Sequence, residues 1–132
     1  MIFLNFDLEI AKEKSEKNPV FYIQYAHARI KTIFSKNNLK YKNCNLSLLN
    51  TTDDLNIIYQ LIEFEELVKK LRKQLEPQLL ANYLLELSSM FHKYYAKERV
   101  VSDDKVKTSA RLILVKALQI VLANGLSLLG IQ

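Results

Sequence analysis

Residues 18–36 read Asn18-Pro-Val-Phe-Tyr-Ile-Gln-Tyr-Ala-His-Ala-Arg-Ile-Lys-Thr-Ile-Phe-Ser-Lys36. Asn18 before Pro19 is a helix start. An Asn side chain caps free backbone N–H groups, and Pro, which has no N–H, suits the first helical position. Beyond it Ile23, Ala26, His27, Ile30, Ile33 and Phe34 recur at helical spacing and share one face. The spacing predicts a helix from Pro19 to about Lys36 with that face turned to a core. Asn37-Asn38 ends it, and a polar loop is expected through Thr52, tethered by Leu46, Leu48 and Leu49.

Three more helices follow. Thr51-Thr52-Asp53-Asp54 resembles a capping box, with Thr51 as cap and Asp54 three residues on. It opens a helix to about Gln74, with a stripe of Ile57, Leu61, Phe64, Val68, Leu71 and Leu75. Glu76-Pro77 ends that helix and begins the next, whose stripe is Leu80, Leu84, Leu87, Phe91 and Tyr94. Ser102, followed by Asp103 and Asp104, reads as a cap whose acids meet the positive end of the helix dipole. The stripe expected there is Val106, Ala110, Ile113, Ala117, Ile120 and Val121. Asn124-Gly125 reads as the stop, with Leu126, Leu128, Leu129 and Ile131 packing back as a tail.

The fold class expected is therefore all-α, a helical bundle of four main helices. Composition agrees. Only two Gly and two Pro occur in 132 residues, against a usual share of about 12%, and turn-rich sheets need far more. Apolar residues make up 49% and charged residues 25%, enough apolar surface to build one core. Residues 1–132 are read as a single domain, with 1–17 a lead-in and 18–132 the bundle. The lone Cys44 leaves no disulfide framework or Cys-rich zinc site and suits a reducing, cytoplasmic setting. Met1 to Phe6 lacks the basic start of a signal peptide, and no membrane span is expected.

Chemistry by catalysis finds no foothold. The sequence has no Gly-rich phosphate loop and no helical pair of histidines around a Glu. His27 and His92 are far apart, and Glu65-Glu66 and Asp103-Asp104 are adjacent residues that do not face each other on a helix. No catalytic residue and no metal site are expected.

The charge is more informative. Nineteen Lys and Arg against fourteen Asp and Glu give +5, with a pI near 9.3. No acid lies between Glu16 and Asp53, a stretch carrying Lys17, Arg29, Lys31, Lys36, Lys40 and Lys42. A second acid-free window runs from Leu87 to Lys97 and holds Lys93 and Lys97. One-sign segments attract polyanions, although they also serve as plain solubilising surface. Within the first window Tyr22, Tyr25 and Arg29 stand at i, i+3 and i+7, inside roughly 60° of arc. That flank is turned away from the stripe through Ile23 and Ile30. Tyrosine faces stack on unpaired nucleobases, and an arginine stacks or forks onto phosphate. Tyr94, Tyr95, Lys97 and Arg99 form a second cluster, in which Tyr94 belongs to the core stripe. The competing reading is that these tyrosines cover core edges with wet hydroxyls.

The segment Asn18 to Ile30 resembles the opening of the C-terminal domain of arginyl-tRNA synthetases, the DALR anticodon-binding domain. Glu76-Pro77, Leu80-Ala-Asn-Tyr-Leu84, Phe91-His-Lys-Tyr-Tyr95, Ala110-Arg-Leu112, Asn124-Gly-Leu126 and Leu128-Leu-Gly-Ile131 extend the likeness over nearly the whole chain. The resemblance implies an all-α bundle that holds the anticodon loop of tRNA(Arg). It also implies a separate catalytic domain of the parent synthetase that uses ATP and Mg, and no cofactor for this chain. Carried over by position, Tyr22, Tyr25 and Arg29 match loop-contacting residues, Tyr95 and Arg99 match a second contact group, and residues 37–52 flank the anticodon. Lys36, on the same helix, is expected to meet phosphate. The chain is expected to act as a monomer with no membrane partner. The rival expectation is a helical protein-interaction bundle without RNA binding, marked by a sizeable exposed apolar patch.

Overall fold

The computed structural model describes residues 18–37, 45–74, 76–97 and 100–131. Four α-helices make up the bundle: α1 (Pro19–Asn37), α2 (Thr52–Lys73), α3 (Pro77–Lys97) and α4 (Lys105–Leu128). A short 3-10 turn, Leu46–Leu48, packs on α4, and no strand occurs among the described residues. Both α1 and α2 pack on α3 and on α4, and they do not touch each other. The expected lead-in at residues 1–17, Cys44, Leu75 and Arg99 lie outside the described residues, as do Lys17, Lys40 and Lys42.

The start of α1 is as its sequence predicts. Asn18 Oδ1 accepts from the N–H of Val20 at 3.0 Å and of Phe21 at 3.4 Å. Ile23, Ala26 and Ile30 are fully buried, while His27 and Phe34 sit at the half-buried edge of the same face. All five residues of the predicted α3 stripe, Leu80, Leu84, Leu87, Phe91 and Tyr94, are in the core. Full burial of such a side chain contributes about 1.5–3 kcal/mol, so this one helix anchors much of the bundle. The connecting segment is tethered by Leu49 and, less deeply, by Leu48. Leu46 is 54% exposed and tethers nothing.

The predicted capping box also forms. Thr51 Oγ1 accepts from Asp54 N–H at 3.0 Å, and Asp54 Oδ2 accepts from Thr51 N–H at 3.1 Å. Asp54 is fully buried because its other oxygen, Oδ1, accepts from the Tyr94 hydroxyl at 2.7 Å. Farther along the same interface the Tyr83 hydroxyl donates to the Gln60 carbonyl. Burial, aided by Glu63 and Glu86, raises the Tyr83 pKa and keeps it a donor.

In α4 the structure corrects three expectations. The cap is Asp104, whose Oδ1 accepts from Lys107 N–H at 3.1 Å. Ser102 is instead held by the buried Thr108, its N–H donating to Thr108 Oγ1 at 2.9 Å while that hydroxyl donates back to the Ser102 carbonyl at 3.1 Å. The buried face runs through Leu112, Val115, Leu118 and Leu122; of the expected stripe Ala110 is buried, Ile113, Ala117 and Val121 are half-buried, and Val106 and Ile120 are 50% exposed. The reason is that α4 touches the three other helices and the 3-10 turn, so apolar residues are required around most of its circumference and no single phase stands out.

Nor does the helix stop at Asn124-Gly125. Gly125 is an interior position where α3 crosses closely: a Cβ there would lie 2.7 Å from Leu84 Cδ1. The stop is Gly130, at φ 77°, with Gly130 N–H donating to Ser127 O at 3.0 Å and Ile131 N–H to Leu126 O at 2.8 Å. Those two bonds close a Schellman cap. Leu126 and Leu128 therefore belong to the helix, the first buried and the second 59% exposed. By length and composition alone α4 is long and apolar enough to cross a membrane. Half of its apolar window is buried within the bundle, which accounts for that composition.

His27 lines a shallow groove beside Gln24 and Leu126. Burial, and then Lys31 and Lys116, hold its pKa below the ordinary 6.5. Its neutral form is thus favoured in the folded state. The contribution is complete above pH 6.5 and is lost as pH falls through the lowered value. Thermal melts over that range should show His27→Gln losing less stability on acidification than the wild type. For the Asp54 contact, Tyr94→Phe should lower unfolding free energy by about 1–3 kcal/mol in denaturant titrations, since it removes a partner from a buried carboxylate.

Candidate nucleic-acid interface

The α1 stripe places Ile23 and Ile30 in the core, which turns Tyr22, Tyr25 and Arg29 toward the C-terminal half of α3. There α3 presents His92 and Tyr95, three residues apart and so on one face. The His92 ring lies 5.2 Å from the Tyr25 ring at 26° and 5.0 Å from the Tyr22 ring at 59°. Arg29 lies near two aromatic rings, its guanidinium carbon 4.2 Å from the Tyr95 centroid and 5.8 Å from that of Tyr25. Its Nη1 donates to His92 Nδ1 at 3.2 Å. Phe91 supports the arrangement from within, 5.5 Å from His92 and 5.9 Å from Tyr95 between ring centres.

The structure therefore brings together four of the six predicted residues, Tyr22, Tyr25, Arg29 and Tyr95. Lys36 joins them at the end of a groove of about 300 Å³ lined also by Tyr25, Arg29, Thr32 and Tyr95. Arg99 lies outside the described residues. Tyr25 is 42% exposed and Tyr95 36%, while Tyr25 stacks on His92 and Phe21 and Arg29 lies over the Tyr95 ring. Tyr22 is half-buried and closer to the core-edge reading. A guanidinium stacked by its face keeps its N–H edge for forked hydrogen bonds. A groove with partly exposed tyrosines and two cations can offer ring surface to an unpaired base and neutralise the phosphate beside it.

One expectation based on charge needs correction. Lys97, in the second acid-free window, is paired with Asp53 of α2 at 3.0 Å. The window is free of acids along the chain but not in space. His92 is the residue that sequence reasoning missed. Its spacing from Tyr95 was visible, but its value lies in what α1 brings to it, and no single-helix pattern contains that. Among the described residues no group of three or more His, Cys, Asp or Glu is placed to hold a metal ion.

The patch expected by the protein-interaction rival exists in a small form elsewhere. Leu55, Tyr59 and Ile62 are exposed at i, i+4 and i+7 on α2, which α1 does not touch.

The class of protein that the described residues define is an all-α bundle with a basic, aromatic groove between two of its helices. Residues 23–132 match the family model for the DALR anticodon binding domain, and the chain belongs to that family. An arginine–tRNA ligase of Coxiella burnetii is 43% identical over 136 aligned residues, covering 98% of this chain and 23% of that protein. The corresponding ligase of Carboxydothermus hydrogenoformans is 42% identical, over 98% of this chain and 24% of its own length. A crystal structure described as an arginyl-tRNA synthetase from Campylobacter jejuni superposes with a TM-score of 0.74 at 28% identity. It covers 96% of this chain and 28% of the larger one. The chain thus spans about a quarter of the length of the curated relatives it matches.

The division of the α1 surface can be tested by stability alone. Ile30→Ala should cost about 2–5 kcal/mol through the cavity it leaves. Tyr25→Ala should stay within about 1 kcal/mol of wild type, as chemical denaturation will show.

Proposed function

We propose that this chain binds the anticodon stem-loop of tRNA(Arg), as the anticodon-binding domain of an arginine–tRNA ligase. The observation that carries the reading is Arg29 held over Tyr95 across the α1–α3 groove, with Tyr25 also near it, in a chain of this family. In this reading unstacked loop bases lie on Tyr25 and Tyr95, with Tyr22 at the edge of the platform. Arg29 and Lys36 meet phosphates, and Arg99 is kept as a contact on the family likeness alone. ATP-dependent attachment of arginine belongs to the part of such an enzyme that lies beyond this domain. That remaining part is the second partner we propose, and the exposed Leu55–Tyr59–Ile62 stripe of α2 supports a contact with it. The two surfaces lie on different helices, so RNA binding and that contact do not compete.

The test is binding to an arginine tRNA transcript and to one with an altered anticodon, across a salt series. Tyr25→Ala should cost about 1–3 kcal/mol of binding and erase part of the preference for the correct anticodon. Lys36→Ala should weaken both RNAs alike and lower the salt slope by about one. Equal binding of both transcripts by the wild type would overturn the reading.

A further inference from the structure

We propose that His92 is a positioning residue for this RNA site: its Nδ1 accepts the Arg29 Nη1 hydrogen bond and so holds the guanidinium against Tyr95, ready for RNA. The inference rests on the anticodon-binding reading above and adds a residue and a pH dependence to it.

An arginine has only donors, so the 3.2 Å contact fixes the roles of the two groups. Nδ1 must be the unprotonated nitrogen, and the neutral ring then carries its proton on Nε2. The ring is in turn held by Tyr22 at 5.0 Å, Tyr25 at 5.2 Å and Phe91 at 5.5 Å, so the acceptor has a fixed direction. A free arginine loses rotamer freedom on binding RNA, whereas one already oriented loses less. His92 need not touch the RNA to affect affinity.

Protonation removes this function. An imidazolium cannot accept at Nδ1, and it places a second cation beside Arg29. Among the described residues, the titratable or charged groups of α1 in contact with His92 include Arg29, Tyr22 and Tyr25, and on its own helix Tyr95 lies across Arg29. The acids that α2 brings to this end of α3 are engaged elsewhere, Asp54 with Tyr94 and Asp53 with Lys97. The buried charged group of α4 is Arg111, another cation. The sign of the effect is diagnostic. Added positive charge by itself tightens binding to a polyanion, while loss of the Arg29 orientation weakens it.

The full 132-residue chain would be titrated with a synthetic RNA stem-loop carrying an arginine anticodon, between about pH 7.5 and about pH 5.5. Wild-type affinity should fall on acidification. His92→Phe keeps a ring but no acceptor and should bind roughly tenfold more weakly at neutral pH. His92→Asn, which offers a carbonyl near the Nδ1 position, should recover most of the affinity and lose the acid-dependent fall. His27→Gln is the control for the other histidine and should retain that fall. Wild-type affinity that rises on acidification overturns the proposal even if His92→Phe fails to fold. So does an acid-dependent fall that persists in His92→Asn. Side-chain nitrogen NMR of the free protein gives an answer independent of RNA: Nδ1 bearing the proton at neutral pH overturns the positioning role. If the NMR shows the expected tautomer but the wild type ignores the anticodon, the functional reading fails and the positioning contact stands.

Discussion

The buried carboxylate of Asp54 is the contact on which the rest of this structure depends. One oxygen closes the capping box of α2, and the other accepts from Tyr94 of α3. A buried carboxylate is costly unless its lone pairs are met, so the two helices cannot slide along each other without stranding it. The start of α2 thereby fixes the register of α3. His92 lies two residues before Tyr94 and Tyr95 one after it, so that register also sets what α3 offers to α1. A polar contact between α2 and α3 thus determines the geometry of a groove lined by α1 and α3.

The two sides of α1 meet opposite demands. Ile23, Ala26 and Ile30 lie against a close-packed interior, where a lost methyl group is felt. Tyr22, Tyr25 and Arg29 lie against rings that they touch at only part of their surface. A tyrosine can serve both sides, since its ring buries apolar area while its hydroxyl stays wet. This is why the core-edge and base-stacking readings are not exclusive for Tyr22 and Tyr25. What separates the groove from ordinary edge packing is Arg29, a cation held over Tyr95 where a leucine would pack more cheaply.

How much could be read in advance follows from how many neighbours each element has. The α3 stripe has a clear phase and was legible to the residue, and the Asn18 and Thr51 caps were legible because they are local hydrogen bonds. The α4 stripe was not, because a helix enclosed by others is apolar nearly all round. Gly125 reads as a stop only until Leu84 is known to lie against it. From within the chain a close helix crossing and a C-cap look alike. The same division holds in the site. Tyr22, Tyr25 and Arg29 share one helix, so their common flank is visible in their spacing. His92 acquires its role from a different helix, 63 positions from Arg29.

Charge completes the argument, because windows without acids along the chain matter only where folding leaves them without acids in space. The α1–α3 packing places the described part of the first window against the second. The border is visible at Lys97, where Asp53 reaches over from α2. Farther out on α2, Lys69 sits within 3.6 Å of Glu65 and 3.5 Å of Glu66, so that surface is a mixture of both signs. Screening in physiological salt limits such fields to about 8 Å. The potential inside the groove is therefore set by its own Arg29 and Lys36, and the net charge of +5 contributes little there. A basic pI would allow this domain to meet any polyanion; in the proposed reading, two cations among partly exposed tyrosines favour one whose bases are unpaired.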